Sequence, residues 1–267
     1  MDEFLARRFE FPDCRSKKVL VLGLGGGCDI ILAYAISTIV AKTQPERVIY
    51  ANTKIIHDIS HLPEVTTYIR RVSHERKVLS GPGRRRTHGT TRIDESVPRG
   101  DEGCPWIFLL SDDRADQELV KDIVNLDFDL LVGIDTGGDS LVEVRSSFDN
   151  QRDRRMLRVL FLTGLPVLHV IVAPGSDGEA SFEELQRAFA EQCAKGRFQG
   201  TFDLEELLPV LRTLSEPLSE DRTPRIILAA AEDRLPRAGQ EMVVVPRGCH
   251  PTVPRAWLTR AFVFGDA

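Results

Sequence analysis

A short apolar strand that ends in a glycine-rich turn and continues into an apolar helix constrains the fold of this chain most strongly. The run Val19–Leu22 has the length and composition of a strand buried on both faces. Residues 29–42 are apolar at the spacing of a helix. Strand-sized apolar runs at residues 129–134 and 166–173 alternate with further helical segments. This alternation predicts an α/β fold with a doubly wound, mostly parallel, Rossmann-like sheet and helices on both faces.

The composition favours one large folded unit. The chain has 267 residues, of which 42% are apolar and 28% are charged, as in ordinary globular proteins. We therefore predict that residues 1–267 form a single Rossmann-like domain. Residues 81–104 are glycine-rich and contain almost no apolar side chains. This composition predicts a flexible insertion that forms either a lid or a disordered segment.

Charge and hydropathy argue against several classes of partner. The formal net charge is −5 and no broad basic field is present, which argues against nucleic acid. The apolar runs are shorter than the roughly 18 residues of a membrane helix, and residues 1–11 do not resemble a signal peptide. The five cysteines are scattered without a C-x-x-C pair, which argues against a disulfide framework. We expect a cytoplasmic protein with a small anionic ligand, and a homo-oligomer is compatible with the sequence.

The glycine turn is the first candidate ligand site. Gly23, Gly25, Gly26 and Gly27 separate the first strand from the helix that begins near Asp29. Glycines let backbone amides approach a ligand closely, and the helix N-terminus adds a partial positive charge. The turn is therefore predicted to bind a phosphate, a carboxylate or a nucleotide, together with Thr53 at the end of the second strand.

A conventional dinucleotide site fits this turn poorly. Cys28 stands where the last glycine of G-x-G-x-x-G would be, and Asp29 would repel a pyrophosphate unless a cation intervened. The second strand ends in Asn52, Thr53 and Lys54, without the acid that binds a ribose diol. An NADP-dependent reductase, in which Lys54 would meet the 2′-phosphate, is kept as an alternative.

A second candidate site is the acidic turn that follows the apolar run at residues 129–134. Asp135 and Asp139 flank Gly137 and Gly138 there, and Asp153 begins the next helical segment. Ligands of open parallel sheets bind beyond the carboxyl ends of the strands. If the two apolar strands are neighbours, Asp29, Asp135 and Asp139 converge on one crevice. Carboxylates so placed could bind Mg²⁺ or transfer protons, whereas helix capping and turn formation are the structural alternatives.

The chain resembles the domain-of-unknown-function 1152 family. The matching segments are VLGLGGGCD at residues 21–29, LVGIDTGGDSL at 131–141, RDRRMLRVL at 152–160 and GLPVLHVIVAPGSDGE at 164–179. The resemblance implies a Rossmann-like domain and supports both turns, but it implies no particular activity. The family usually has a further glycine at the position of Cys28, so the first turn departs from the family pattern.

These observations give three hypotheses about function. The first is an enzyme, either a hydrolase or a transferase, in which the Gly25–Gly27 amides hold an anionic ligand. In that enzyme Asp29 and Asp139 bind a divalent cation, or Asp135, Asp139 and Asp153 act in catalysis. The second hypothesis is a sensor that binds a nucleotide or metabolite without turnover. The third is the NADP-dependent reductase.

Overall fold

Buried apolar runs form the central strands, as the sequence predicts. The computed structural model describes residues 2–25, 27–54, 63–72, 97, 106–110, 116–142 and 150–265. Strands β1 (Lys18–Gly23) and β5 (Leu130–Thr136) have nearly all their side chains buried. Strands of this kind belong to parallel sheets that are covered by helices. The predicted α/β class, with a mostly parallel Rossmann-like sheet, is confirmed.

The chain divides into two compact units. We call Phe11–Gly133 with Arg155–Val167 the glycine-turn unit. The aspartate-turn unit contains the remaining residues, which are Met1–Glu10, Ile134–Arg154 and Leu168–Ala267. That residues 1–267 act as a single domain stays a prediction. The predicted insertion at residues 81–104 lies outside the described residues, apart from Val97.

Parallel pairing organises the glycine-turn unit. Besides β1 and the first half of β5, its elements are β2 (Arg47–Lys54), β3 (Ile69–Val72), β4 (Trp106–Leu110), α2 (Asp29–Ala41) and α3 (Asp116–Asn125). The strand order is β3-β4-β2-β1, followed by β5. β1 runs parallel to β2, and β2 runs parallel to β4, whereas β3 is antiparallel to β4. The register places Gly23 opposite Asn52 at the carboxyl ends of β1 and β2.

The core of the glycine-turn unit consists of side chains from its sheet and its helices. Leu22 and Leu131 lie on strands, whereas Ile123 and Leu160 lie on helices, and all of them are buried in one cluster. Leu160 belongs to α4 (Asn150–Leu162), whose first turn is part of the aspartate-turn unit. Burial of this apolar area stabilises the unit by about 25 cal/mol per Å².

Antiparallel pairing closes the aspartate-turn unit. Its strand order is β5-β6-β10-β7, and β10 is antiparallel to both β6 and β7. A separate two-stranded sheet pairs β8 with β9. The other elements are α1 (Asp2–Ala6), β6 (Val167–Val172), α5 (Phe182–Ala194), β7 (Phe198–Asp203), α6 (Leu208–Ser215), α7 (Thr223–Ala231), β8 (Met242–Val244), β9 (Thr252–Pro254), α8 (Arg255–Leu258) and β10 (Arg260–Gly265).

Helix α5 joins this unit through an aromatic core. Its capping box is present, with Ser181 accepting from the Glu184 amide and the Glu184 carboxylate accepting from the Ser181 amide. The Phe189 ring stacks on Trp257 at 5.0 Å and contacts Phe262 at 5.0 Å. Aromatic pairs at this separation add to the stability that burial provides.

Among the described residues, no helix is both long enough and apolar enough to cross a membrane.

Candidate functional site

The turn after β5 is built around the Asp135 carboxylate. Gly137 and Gly138 adopt φ angles of +109° and +99°, which only glycine adopts without strain. This path brings the Gly138 amide to 3.4 Å from Oδ1 of Asp135, and the Ser140 amide donates to Oδ2 at 3.1 Å. The Ser140 hydroxyl also donates to Oδ2. Asp135 therefore holds its own turn together while it is fully buried.

Three aspartates lie together at this turn, and we call them the acid cluster: Asp135, Asp139 and Asp153. Asp135 is the next-to-last residue of β5, Asp139 lies two residues beyond Gly137, and the first turn of α4 supplies Asp153. One carboxylate oxygen from each lies within 4.8 Å of the other two. Their exposed fractions are 0%, 7% and 6%. Such spacing matches oxygens on opposite sides of one cation, with metal–oxygen distances of about 2.0–2.6 Å.

A fourth carboxylate, Asp177, lies in the turn that follows β6. The Gly137 amide donates to Val172 at 3.1 Å, and the Gly175 amide donates to the Gly137 carbonyl at 2.7 Å. These bonds join the turns after β5 and β6. A Cβ on Gly137 would lie 1.8 Å from Oδ2 of Asp177. Gly137 therefore makes room for the Asp177 carboxylate, whose Oδ1 accepts from the Glu179 amide at 3.0 Å.

Burial raises the pKa values of Asp135, Asp139 and Asp177, and the charges of neighbouring carboxylates add to the shift at Asp139 and Asp177. Burial, followed by the charges of Asp153 and Asp135, raises the pKa of Asp139 well above its ordinary value. Burial also raises the pKa of Asp135, although hydrogen bonds from Ser140 and Asp139 oppose the shift. The pKa of Asp177 rises to about 7, again chiefly through burial. Without a cation, the acid cluster therefore retains protons that ordinary aspartates lose.

One arginine lies beside these acids on the loop that follows β8. The Arg247 guanidinium is 3.6 Å from the Glu179 carboxylate, and its charge lowers the pKa of Asp177. The loop packs against the turn after β6, because the His250 amide donates to the Gly178 carbonyl at 2.9 Å. A Cβ on Gly248 would lie 2.3 Å from that same carbonyl oxygen. The loop thus places the positively charged Arg247 side chain next to Glu179 and Asp177.

We predict that the cation-free protein loses stability as the pH rises from about 4 to about 7. The pKa of Asp177 is 3.8 in an ordinary environment and about 7 here, so the folded protein binds the proton more tightly than the unfolded chain. The stabilisation that comes from this proton is fully present below the unfolded-state pKa of Asp177. It is lost as the pH rises through the folded-state pKa. Each pH unit of difference corresponds to about 1.4 kcal/mol at most.

Chemical denaturation in a chelator at about pH 5 and about pH 8 measures this effect. The Asp177→Asn variant is the control, because it should remove much of the pH dependence. An equally steep loss of stability in this variant would show that Asp177 is not its source.

The glycine turn of the other unit is occupied by its own side chains. The Gly25 amide donates to Oδ2 of Asp29 at 2.5 Å, and the Thr53 hydroxyl donates to the Gly23 carbonyl at 3.0 Å. A Cβ on Gly23 would lie 2.8 Å from Asn52, whereas one on Gly27 would meet nothing within 4 Å. An anion that used the Gly25 amide would therefore have to replace the Asp29 carboxylate.

The structure brings three of the predicted site residues together. Asp135, Asp139 and Asp153 lie together, whereas Asp29 belongs to no group of three metal-ligating side chains within the described parts of the chain. Gly26 lies outside those parts. The shared crevice of Asp29, Asp135 and Asp139, and the ligand-binding roles of the glycines and Thr53, stay predictions.

Two side chains of this region, Asp177 and Ser140, were not predicted from the sequence. Asp177 could have been found, since Gly175-Ser-Asp-Gly-Glu179 is a second acidic glycine turn at the end of an apolar strand. The contact of Ser140 with His169, at 2.9 Å, has no local signal because the residues are far apart in the sequence. His169 is buried on β6, and this contact gives its ring a hydrogen-bond partner.

A cavity of about 640 Å³ elsewhere in the aspartate-turn unit has a different character. Its lining includes Leu204, Met242, Arg237 and Arg255, and it shares no residue with the acid cluster. The two arginines both pair with Asp233. We therefore place the candidate site at the acid cluster, where buried acids with raised pKa values converge.

Comparison with known proteins agrees with the resemblance seen in the sequence. A family model described as "Protein of unknown function (DUF1152)" matches residues 20–232. No curated protein matches the chain. The matched segment contains the glycine turn, the acid cluster and the turn after β6, so the chain belongs to the DUF1152 family.

Proposed function

We propose that this protein is an enzyme, a hydrolase or transferase that uses a divalent cation held by the acid cluster to act on a small anionic ligand. The observation that carries the proposal is the approach of three buried carboxylates, with oxygens within 4.8 Å of one another. We further propose that the ligand is nucleotide-like and that the protein acts in the cytoplasm.

Burying three like charges close together costs free energy. Each ionised carboxylate loses hydration on burial, and three of them repel one another. Protons or a cation must offset this cost. All three side chains offer hard oxygen ligands, which suit Mg²⁺, and Mn²⁺ is a suitable probe for such a site.

The acid cluster would also leave coordination positions of the cation open. Three carboxylates occupy about half of an octahedral coordination sphere, and water or an anionic ligand can take the remaining positions. A cation so placed stabilises the negative charge that develops during hydrolysis or group transfer. This partial coordination supports an enzyme rather than a closed structural site.

Two neighbouring side chains support catalysis on an anion. Asp177 has a pKa of about 7, near the value that suits a general acid or base in neutral solution. Arg247 supplies a positive charge beside it and could contact the ligand. The glycine turn, in the other unit, keeps its predicted role as a nucleotide-binding element.

The direct test is turnover of a panel of phosphate esters, nucleoside triphosphates and carboxylic esters with Mg²⁺ or Mn²⁺. We expect cation-dependent turnover in the wild type and a loss of at least about 100-fold in Asp139→Asn, since loss of an essential electrostatic group typically costs that much. Asp203→Asn is the matched control, because this exposed carboxylate pairs with Arg260 in the same unit.

Each outcome of this test separates the hypotheses. Unchanged turnover in Asp139→Asn would remove the acid cluster from the mechanism. Cation binding by the wild type, with no turnover of any compound in the panel, would favour the sensor.

A further inference from the structure

A chain of buried hydrogen bonds leads from the acid cluster into the sheet. His169 lies on β6, Ser140 lies in the turn after β5, and Asp135 is the next-to-last residue of β5. Ser140 contacts both partners, since its hydroxyl donates to Oδ2 of Asp135 and lies 2.9 Å from Nε2 of His169. All three residues are at most 4% exposed. These hydrogen bonds are thus shielded from competing water.

The direction of these hydrogen bonds follows from counting hydrogens. A serine hydroxyl has one hydrogen, and Ser140 donates it to Asp135. The contact between Ser140 and His169 must then use the N–H of His169 as the donor. Burial lowers the pKa of His169 to about 3, so the ring is neutral and carries its single proton on Nε2.

This arrangement treats the two oxygens of Asp135 differently. Oδ2 accepts from both the amide and the hydroxyl of Ser140, whereas the Gly138 amide approaches Oδ1 only to 3.4 Å. Asp139 also hydrogen-bonds to this carboxylate, and a cation that binds an ionised Asp139 would replace that bond. Oδ1 is therefore the oxygen better able to bind a cation. The donors on Oδ2 restrict rotation of the carboxylate.

We propose that His169 and Ser140 are positioning residues, which orient Asp135 so that Oδ1 binds the divalent cation. This inference rests on the proposed function, because it assigns the residues that support one ligand of the same site. Partners of this kind, which hydrogen-bond to metal ligands, typically contribute about 10–100-fold to metal affinity.

The test compares Mn²⁺ binding by calorimetry in the full-length wild type and in three variants. His169→Leu and Ser140→Ala should each weaken binding by about 10–100-fold. His169→Gln should bind within about threefold of the wild type, because its amide can place an N–H near the position of Nε2. A purely structural role for His169 would not favour glutamine over leucine.

A matched control separates the network from simple loss of a buried hydroxyl. Ser215 is fully buried, and its hydroxyl donates to the Leu211 carbonyl at 2.6 Å. Ser215→Ala should leave Mn²⁺ affinity unchanged, and thermal unfolding of every variant shows whether it is folded.

The outcomes distinguish this inference from the proposed function. Wild-type affinity in folded His169→Leu, or equal losses in the leucine and glutamine variants, would overturn the positioning role alone. Failure of the wild type to bind Mn²⁺ would overturn the proposed function, and the positioning role with it.

Discussion

Asp139→Asn is expected to unfold at a higher temperature than the wild type when both are measured in a chelator at about pH 8. Asparagine resembles a protonated aspartate in shape and can still donate a hydrogen bond to Asp135. It cannot ionise, so it avoids both the burial of a charge and the repulsion by Asp153 and Asp135, which together raise the pKa of Asp139. We expect a gain of about 2 kcal/mol, which corresponds to roughly 4–8 °C for a protein of this size.

The same variant should lose its response to a divalent cation. Saturating Mn²⁺ is expected to raise the unfolding temperature of the wild type, because a ligand that binds only the folded state stabilises it. Asp139→Asn should show almost no rise, and Asp203→Asn should behave as the wild type. Scanning calorimetry with and without Mn²⁺ measures both effects. If Asp139→Asn were less stable than the wild type in the chelator, the ionised Asp139 carboxylate would be stabilising and our electrostatic account would be wrong.

Gly137→Ala is expected to be the most damaging small substitution in the turn after β5. The new Cβ would lie 1.8 Å from Oδ2 of Asp177, and the φ angle of +109° disfavours any residue with a side chain. A strained backbone costs about 1–3 kcal/mol, and overpacking costs about 1–3 kcal/mol more. We therefore expect a total loss of about 2–6 kcal/mol, which urea denaturation measures.

Two variants separate the sources of this loss. Gly164 also has a positive φ, +70°, but a Cβ there would meet nothing within 4 Å, so Gly164→Ala reports the backbone cost without a clash. Asp177→Ala should partly rescue Gly137→Ala, since it removes the carboxylate that would collide with the new methyl group. A Gly137→Ala protein as stable as Gly164→Ala would contradict the close approach of Asp177.

Local sequence signals were sufficient for the strands that are buried on both faces. β1 and β5 were predicted because their runs are apolar and end in glycine or aspartate. β3 and β7 were missed, since IRRV and FQGTFD contain polar residues and depend on pairing with distant strands. In β7, Gly200 lets the backbone of Arg7 approach, because a Cβ there would lie 2.9 Å from the Arg7 carbonyl oxygen. Strand formation of this kind depends on tertiary context.

Local sequence was enough to name the acidic residues of the candidate site, but not to show that they lie close together. Asp135, Asp139 and Asp153 could be named because they follow a strand or begin a helix. Their approach to within 4.8 Å needs the fold. Asp29 was predicted as a metal ligand, and this stays a prediction. Its carboxylate accepts from the Gly25 amide, a local bond within the glycine turn.

The central claim is that Asp135, Asp139 and Asp153 bind one divalent cation. Anomalous diffraction from crystals grown with Mn²⁺ tests it most directly. Our account predicts one strong peak bonded to an oxygen of each aspartate, at about 2.0–2.6 Å, and no such peak in Asp139→Asn. Fully occupied Mn²⁺ elsewhere in the wild-type crystal, with no anomalous density among these three carboxylates, would contradict it.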